Sequence, residues 1–277
     1  MRLPRLDDLH VHLRQGDLLP QTVAASWAGG AGRVLAMPNL KPPLTDIESA
    51  ITYRDAVRAL EPRLAVLPTI AITASTSPDL AARAKAAGIA ALKWYPQGVT
   101  TNSGHGAASL AQGYELFAAM QDADLVLSLH GELPADPVQG IDTINGEQAF
   151  LPGLERLHHD FPRLRIVLEH VSSAAAVEMV RRGGPTLAAT VTLHHLELTL
   201  DDWVADRRLY CRPPAKGHAD RSAVRAAVVE GHPRFFLGSD SAPHPAALKE
   251  RCDGPPGIFT TLTLAPALAD CFDRLGC

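Results

Sequence analysis

Two histidines near the start of the chain have the spacing of a metal-ligand pair. His10 and His12 lie two residues apart, and on a β-strand such residues point to the same face. Two imidazoles on one face suit zinc or a similar divalent ion. Arg14 continues the spacing, and its planar guanidinium matches a carboxylate bidentately. A half-buried strand with two hydrogen-bonded histidines would give the same pattern, so the metal hypothesis depends on the rest of the chain.

The elements that would position these residues are predicted from eight short, apolar, β-rich runs that alternate with alanine-rich stretches of helical spacing. The runs are Leu6–Leu13, Arg33–Met37, Leu64–Thr73, Ile89–Tyr95, Asp124–His130, Leu164–His170, Leu187–Thr192 and Arg234–Asp240. Eight such alternations predict an α/β fold, a (β/α)8 TIM barrel, as a single domain over residues 1–277. A doubly wound open sheet is the alternative, but the first turn, Arg14–Asp17, lacks the GxGxxG pattern typical of that fold.

Polar residues of ligand type stand at the ends of these predicted strands. They are His10 and His12 (strand one), Asn39 (after strand two), Lys93 (strand four), His130 (strand five), His170 (strand six) and Asp240 (strand eight). Each alone has an ordinary explanation, such as a core histidine, a lysine whose head reaches water or an aspartate that caps a turn. In a barrel, however, the carboxyl ends of the strands meet at one mouth. Because buried charges need partners or a metal, the set as a whole predicts a metal site.

Composition excludes several other classes of function. The 277 residues carry a net charge of -4 without a long run of one sign, which argues against a nucleic-acid surface or a polybasic membrane anchor. The four cysteines form no CxxC pair, so neither a zinc knuckle nor a disulfide framework is predicted. No signal peptide or membrane-spanning run is predicted, and we expect a cytoplasmic location.

Six motifs in order resemble those of the amidohydrolase superfamily, and within it those of dihydroorotases of the shorter, bacterial, monofunctional type. The motifs are His10–Arg14, Met37–Asn39, Leu92–Pro96, Leu129–Glu132, Leu168–His170 and Gly238–His244. The similarity covers about Asp7 to Gly257. It implies reversible hydrolysis of L-dihydroorotate to N-carbamoyl-L-aspartate, a step of pyrimidine biosynthesis, by a zinc-dependent hydrolase of cyclic amides.

The resemblance also implies two zinc ions per chain. Their ligands would be His10, His12 and Asp240 for one ion and His130 and His170 for the other. Lys93 would bridge both as N6-carboxylysine, formed from its amine and carbon dioxide. A lysine in an apolar stretch suits this role, since burial populates the neutral amine. Asp240 would be the catalytic acid and base.

The same resemblance implies the residues that bind substrate, which are Arg14, Asn39, Thr100, Thr101, Arg212, His244 and, less directly, Pro256. Thr100 and Thr101 lie in a Gly-, Thr- and Ser-rich segment whose composition also fits an ordinary surface loop. His194 and His195, after strand seven, are interpreted as structural because the ligand set is already complete.

Other possibilities remain open from the sequence. Family members continue well past strand eight, whereas one helix from about Thr260 is predicted here, so we expect a C-terminally short barrel, with homodimer formation left open. A hydantoinase- or allantoinase-like enzyme is one alternative function, and a non-catalytic dihydroorotase-like scaffold is another. Exposed hydrophobic barrel surface would favour a protein partner.

Overall fold

The structure, a computed structural model, describes residues 4–99, 103–104, 106 and 109–277. Within these ranges eight parallel strands form one sheet in sequence order, which is the strand arrangement of the predicted (β/α)8 barrel. The strands are β1 (Leu6–Val11), β2 (Ala31–Ala36), β3 (Ala65–Ala71), β4 (Ala91–Trp94), β5 (Val126–Leu129), β6 (Ile166–Leu168), β7 (Leu187–Val191) and β8 (Phe235–Leu237). The prediction of the fold class is confirmed.

Helices of unequal length follow the strands on the outside of the barrel. Those before β7 are α1 (Leu18–Ala28), α2 (Ile47–Leu60), α3 (Leu80–Ala86), α4 (Tyr114–Asp122), α5 (Gly146–Asp160) and α6 (Ala174–Arg182). After β7 come α7 (Leu193–Glu197), α8 (Leu200–Ala205) and α9 (His218–Val229), and after β8 come α10 (Ala246–Lys249) and α11 (Leu264–Leu275). Short 3-10 turns span Leu110–Gly113, Arg207–Leu209 and Thr261–Thr263.

The barrel closes between its first and last strands through residues that flank the predicted site. The Asp240 N–H donates to the carbonyl of His10 at 2.8 Å, and the His12 N–H donates to the carbonyl of Ser241 at 3.1 Å. Asp8, completely buried, accepts hydrogen bonds from the Ser239 N–H and hydroxyl at 2.7 and 2.6 Å. The ends of β1 and β8 are therefore held side by side, which brings His10, His12 and Asp240 together.

The predicted strands run one to three residues longer than the observed ones at their carboxyl ends. Ladder pairing stops at Val11 in β1 and at Leu168 in β6, because the chain then leaves the sheet to enter the mouth. Arg14 is consequently not placed by strand alternation as the sequence suggested, since its backbone has φ +60°. Buried hydrophobic side chains form two clusters. The larger includes Trp94, Phe117 and Leu129, and the smaller, around β1, β2 and α2, includes Val34 and Val57.

Among the described residues, none of the helices combines the length and the apolar character that a bilayer crossing requires.

Candidate metal centre and substrate pocket

Three predicted site residues adopt the left-handed backbone conformation that residues other than glycine rarely take. The φ angles are +60° at Arg14 and +44° at both His170 and Asp240. Each such residue costs about 1–3 kcal/mol and persists only where its surroundings enforce it. Here the His170 N–H is held at 2.6 Å by the Thr190 hydroxyl. The backbone is thus strained at the positions where side chains turn into the barrel mouth.

Four histidine rings meet edge to face at this mouth. The ring centroid of His10 lies 5.4 Å from that of His12 and 5.1 Å from that of His170. The ring centroids of His130 and His170 lie 4.7 Å apart. Nitrogen atoms of His10 and His12 and a carboxylate oxygen of Asp240 all lie within 4.8 Å of one another. The structure therefore brings together five side chains that the sequence placed at four separate strand ends.

His10 is oriented by a buried carboxylate behind it. Its Nδ1 lies 2.8 Å from Glu169 Oε2. Burial opposes ionisation of Glu169, but His10 and Lys93 outweigh it and lower the Glu169 pKa to about 2. An ionised carboxylate only accepts, so Nδ1 of His10 carries a proton. In the singly protonated ring the Nε2 lone pair then points toward Asp240 Oδ1, 3.4 Å away.

His12 faces Asp240 in the same way. Its Nδ1 lies 2.8 Å from the Asn39 amide oxygen, which accepts a hydrogen bond from the ring. Burial lowers the His12 pKa to about 4, so the ring is neutral and has no second proton. Nε2 nevertheless lies 2.9 Å from Asp240 Oδ1. Two acceptors at this distance repel each other unless a cation lies between them, and this arrangement fits a divalent ion.

The second half of the cluster contains unsatisfied buried atoms. Among the described residues, Nδ1 of His170 and Nζ of Lys93 are buried without a hydrogen-bond partner. Nε2 of His130 contacts Glu132 Oε2 at 3.0 Å, which leaves the other ring nitrogen of His130 available. Unpaired buried polar atoms cost about 1–3 kcal/mol each. Coordination of an ion by the histidine nitrogens and by a modified Lys93 would remove that cost. This half of the cluster therefore also fits a metal.

Lys93 is completely buried at the end of β4, and its Nζ lies 5.2 Å from the Tyr95 ring centroid. Burial lowers the pKa of Lys93 to about 8, although Glu169 and Asp240 partly oppose the change. A substantial neutral fraction of this amine therefore exists near neutral pH, which is the form that reacts with carbon dioxide.

A polar pocket opens beside the histidine cluster. It is lined by His12, Arg14, Asn39, Arg212, Asp240, Ala242, Pro256 and Gly257. Six of these eight residues were predicted from the sequence as metal or substrate contacts. Nε of Arg14 donates to the Pro243 carbonyl at 2.9 Å, and its Nη2 lies 3.2 Å from His244 Nε2. Arg14 therefore forms a cationic wall of the pocket, with His244 in contact with it, and the remaining donors of Arg14 could meet an anionic group.

Arg212 reaches the pocket from the segment between α8 and α9. Its Nε donates to Glu132 Oε2 at 3.0 Å, the same oxygen that contacts His130. Nε2 of His244 lies 3.0 Å from the Pro256 carbonyl. These contacts link the pocket wall to the metal cluster. The predicted substrate contacts Thr100 and Thr101 lie outside the described residues.

Comparison with known proteins agrees with the geometry of the site. The sequence profile of the amidohydrolase family matches residues 21–195. A protein of Mycosarcoma maydis named dihydroorotase is 44% identical over 247 residues, covering 89% of this chain and 63% of that protein. A probable dihydroorotase of Schizosaccharomyces pombe is 40% identical over 276 residues, covering 100% of this chain and 81% of that protein. The chain belongs to the dihydroorotase family of amidohydrolases.

A solved dihydroorotase has the same architecture. The crystal structure of the Saccharomyces cerevisiae enzyme in complex with 5-fluoroorotic acid superimposes with a TM-score of 0.94. It is 37% identical to this dihydroorotase-family chain, covering 99% of this chain and 79% of the other. The amidohydrolase family is metal-dependent, in agreement with the donor sets in the barrel mouth.

Sequence reasoning about this dihydroorotase-family chain missed the residues that orient the predicted ligands. Glu169 accepts from His10, from the Thr190 hydroxyl at 2.6 Å and from the Ser128 hydroxyl, so all of its surroundings are donors. Glu132 likewise contacts both His130 and Arg212. Their signal was present in the sequence, because Glu169 directly precedes His170 and Glu132 lies two residues after His130, both just past an apolar strand, where burial demands partners.

Proposed function

We propose that this chain is a metal-dependent dihydroorotase that interconverts L-dihydroorotate and N-carbamoyl-L-aspartate in pyrimidine biosynthesis. One observation carries the proposal. Asp240 belongs both to the donor cluster with His10 and His12 and to the pocket that contains Arg14. Asp240, a general acid or base, therefore lies between a metal site and the cationic side chain of Arg14. Hydrolysis of a cyclic amide that bears a carboxylate requires such an arrangement.

The proposed cofactor is a pair of zinc ions. His10, His12 and Asp240 would hold one ion, and His130 and His170 would hold the other. Lys93, as N6-carboxylysine, would contribute an anionic oxygen to both. When bound, such a pair supplies Lewis acidity to the amide carbonyl and makes water a stronger acid.

Asp240 is the proposed proton carrier. Burial alone would raise its pKa, but the neighbouring His10 ring holds that pKa well below its ordinary value. The carboxylate is therefore ionised and can accept a proton from the attacking water. It then delivers that proton to the leaving ring nitrogen, so that the amide C–N bond breaks after the C–O bond has formed.

Arg14, Asn39 and His244 are the proposed sites for the substrate carboxylate. The fixed fork of Arg14 supplies paired donors, and neutral His244 adds a third polar group beside it. An arginine that is mostly buried against the Pro243 carbonyl would be left poorly paired by a substrate without a carboxylate, which disfavours such substrates. Arg212, Pro256, Thr100 and Thr101 are the proposed contacts to the rest of the molecule.

Two alternatives are weaker. A hydantoinase- or allantoinase-like enzyme would not need the Arg14 and His244 wall. A non-catalytic scaffold would not need to retain each of the six proposed metal ligands at strand ends that are strained at His170 and Asp240. A single domain over residues 1–277, homodimer formation and a cytoplasmic location stay predictions from the sequence.

Substrate comparison tests the proposal. Purified protein loaded with zinc in bicarbonate buffer is assayed by ultraviolet absorbance with L-dihydroorotate, dihydrouracil, hydantoin and allantoin. Dihydrouracil is the matched control, since it has the same ring without the carboxylate. We expect turnover of L-dihydroorotate and at least about 100-fold lower kcat/KM with dihydrouracil, the loss of one bidentate charge pair. Faster turnover of hydantoin or allantoin would overturn the assignment.

A further inference from the structure

A second group of metal-ligand side chains lies beside the barrel mouth and is not used by the proposed mechanism. His194 and His195 lie in the first turn of α7 (Leu193–Glu197), after β7, and Cys211 lies two residues after the 3-10 turn Arg207–Leu209. Their donor atoms lie within 4.8 Å of one another, and each residue is no more than 3% exposed. We propose that His194, His195 and Cys211 form a further binding site for zinc or a similar thiophilic divalent ion. These three residues are called the thiol cluster below.

His194 is the observation that points to a ligand. Both of its ring nitrogens are buried and have no hydrogen-bond partner among the described residues. Burial lowers its pKa to about 4, so the ring is neutral and carries a free lone pair. A buried imidazole with neither nitrogen satisfied is costly, and coordination of an ion would remove part of that cost.

The distances around Cys211 are compatible with a shared ion. Its Sγ lies 3.9 Å from His195 Nε2, and the rings of His194 and His195 lie 4.6 Å apart. In a tetrahedral zinc site with Zn–S of about 2.3 Å and Zn–N of about 2.0 Å, sulfur and nitrogen lie about 3.5 Å apart. The Pro213 carbonyl oxygen, 3.0 Å from His195 Nε2 and 3.2 Å from Sγ, could supply a fourth ligand.

The partner that would orient His195 is already in place. Its Nδ1 lies 2.9 Å from the Thr192 hydroxyl, which also accepts from the His195 N–H at 3.0 Å. A hydroxyl oxygen can accept two hydrogen bonds. Without an ion, the Pro213 carbonyl at 3.0 Å, which can only accept, places the proton of His195 on Nε2. Binding of an ion would shift that proton to Nδ1, so that the ring donates to Thr192 and presents Nε2 to the ion. This is the arrangement by which ligand histidines are commonly held.

Charge balance requires that Cys211 lose its proton. Burial raises the Cys211 pKa to about 12, so without an ion it is a neutral thiol. Binding of zinc would form one Zn–S bond and release one proton to solvent. The thiol cluster feels the positive charges of Lys216, Lys249 and His10. The negative charge of Asp240 has the opposite electrostatic effect on it. The thiolate would cancel one of the two charges of the ion, and Asp240 would offset part of the remainder.

Such an ion would join two segments of the mouth. His194 and His195 belong to α7, while Cys211 precedes Arg212, which contacts Glu132. The thiol cluster would therefore fix the segment that carries a proposed substrate contact. The site itself requires no catalysis, so it can be tested whether or not the proposed activity is found.

Cobalt provides a direct probe, because a cobalt–thiolate bond gives a near-ultraviolet charge-transfer band. The parent protein carries Ser at the exposed Cys252 and Cys277 and is produced in cobalt-supplemented, zinc-limited medium. Cys211→Ser and His194→Gln are the test variants, and Cys271→Ser is the matched control, since Cys271 is a buried thiol of α11. Metal per chain is measured by mass spectrometry, and folding by circular dichroism.

We expect the parent and the Cys271→Ser protein to show the band and to hold about one cobalt ion per chain more than either test variant. If Cys211→Ser does not fold, His194→Gln decides the outcome alone. The proposal is overturned if the parent lacks the band, or if a folded test variant keeps both the band and the metal content of the parent.

Discussion

Nδ1 of His10 lies 2.8 Å from Oε2 of Glu169, and both side chains are about 1% exposed. Because the carboxylate fixes the proton on Nδ1, Nε2 is directed toward Asp240. A carboxylate behind a histidine also makes that ring a better donor to a metal. The proposed metal site thus depends on a residue that is not itself a ligand.

Replacing Glu169 with Gln should weaken metal binding. The amide keeps an acceptor for His10 but loses the charge, and changes of this kind typically cost about 10- to 100-fold in metal affinity. Zinc retention is measured by competition with a fluorescent chelator. Glu178→Gln, an exposed change on α6, is the control. Equal affinity in Glu169→Gln and the unmodified protein would contradict the role given to this carboxylate.

Arg14→Lys should raise KM for L-dihydroorotate much more than it lowers kcat. Lysine keeps the charge but lacks the planar fork, and the loss of one bidentate pairing should raise KM about 10- to 100-fold. Steady-state kinetics check this, with Arg83→Lys on the exposed face of α3 as the control. An unchanged KM would show that the carboxylate binds elsewhere.

The ion pair between Arg212 and Glu132 should contribute to the free energy of unfolding of the protein. Glu132 is fully buried, and Arg212 donates to it at 3.0 Å. Removing one member of a buried pair leaves an uncompensated charge, so Arg212→Met should lower the free energy of unfolding by about 3 kcal/mol. The double change Arg212→Met with Glu132→Gln should cost less than the two single losses added together. Urea unfolding measures all three, and strict additivity would argue against the pairing.

His244 should make stability depend on pH in a defined window. Burial and then the Arg14 charge lower its pKa to about 4, against about 6.5 in an unfolded chain. The unfolded chain therefore takes up the proton first as pH falls. The stability that depends on neutral His244 is complete above about pH 6.5 and is lost toward about pH 4.

The comparison of the unmodified protein with His244→Gln isolates this effect, since other titrating groups are common to both. After allowance for solvent screening at this partly exposed ring, the unmodified protein should lose about 1 kcal/mol more than the variant across that window. Urea unfolding at several pH values gives the two curves. Parallel curves would mean that His244 is not held neutral.

Sequence reasoning succeeded where periodicity and residue chemistry agreed. The run Leu187–Thr192 contains β7 (Leu187–Val191), and the alternation of β-rich runs with helical stretches agrees with α6 (Ala174–Arg182), which begins after Ser173 because the Ser173 hydroxyl accepts from the Ala176 N–H. Side chains at strand ends, such as His130 and Lys93, could be placed at the mouth because parallel strands in a barrel share one direction.

Prediction was weaker where tertiary contacts decide the conformation. Strand alternation would have carried Arg14 onto the face of His10 and His12, yet the chain turns at φ +60° after β1 has ended. The short α7 after β7 was not expected either, because its start depends on the Thr192 cap. The partners of Glu169, including Thr190 and Ser128 from neighbouring strands, follow only from three-dimensional packing.

The most direct test of the account joins turnover with metal content in one sample. L-dihydroorotate hydrolysis and zinc per chain are measured for the unmodified protein, Lys93→Ala and Lys85→Ala, an exposed lysine control. We predict turnover and at least about two zinc ions per chain in the unmodified protein and the control, and loss of turnover with loss of zinc in Lys93→Ala. Full zinc without turnover in the unmodified protein, or activity and zinc both retained by Lys93→Ala, would contradict the account.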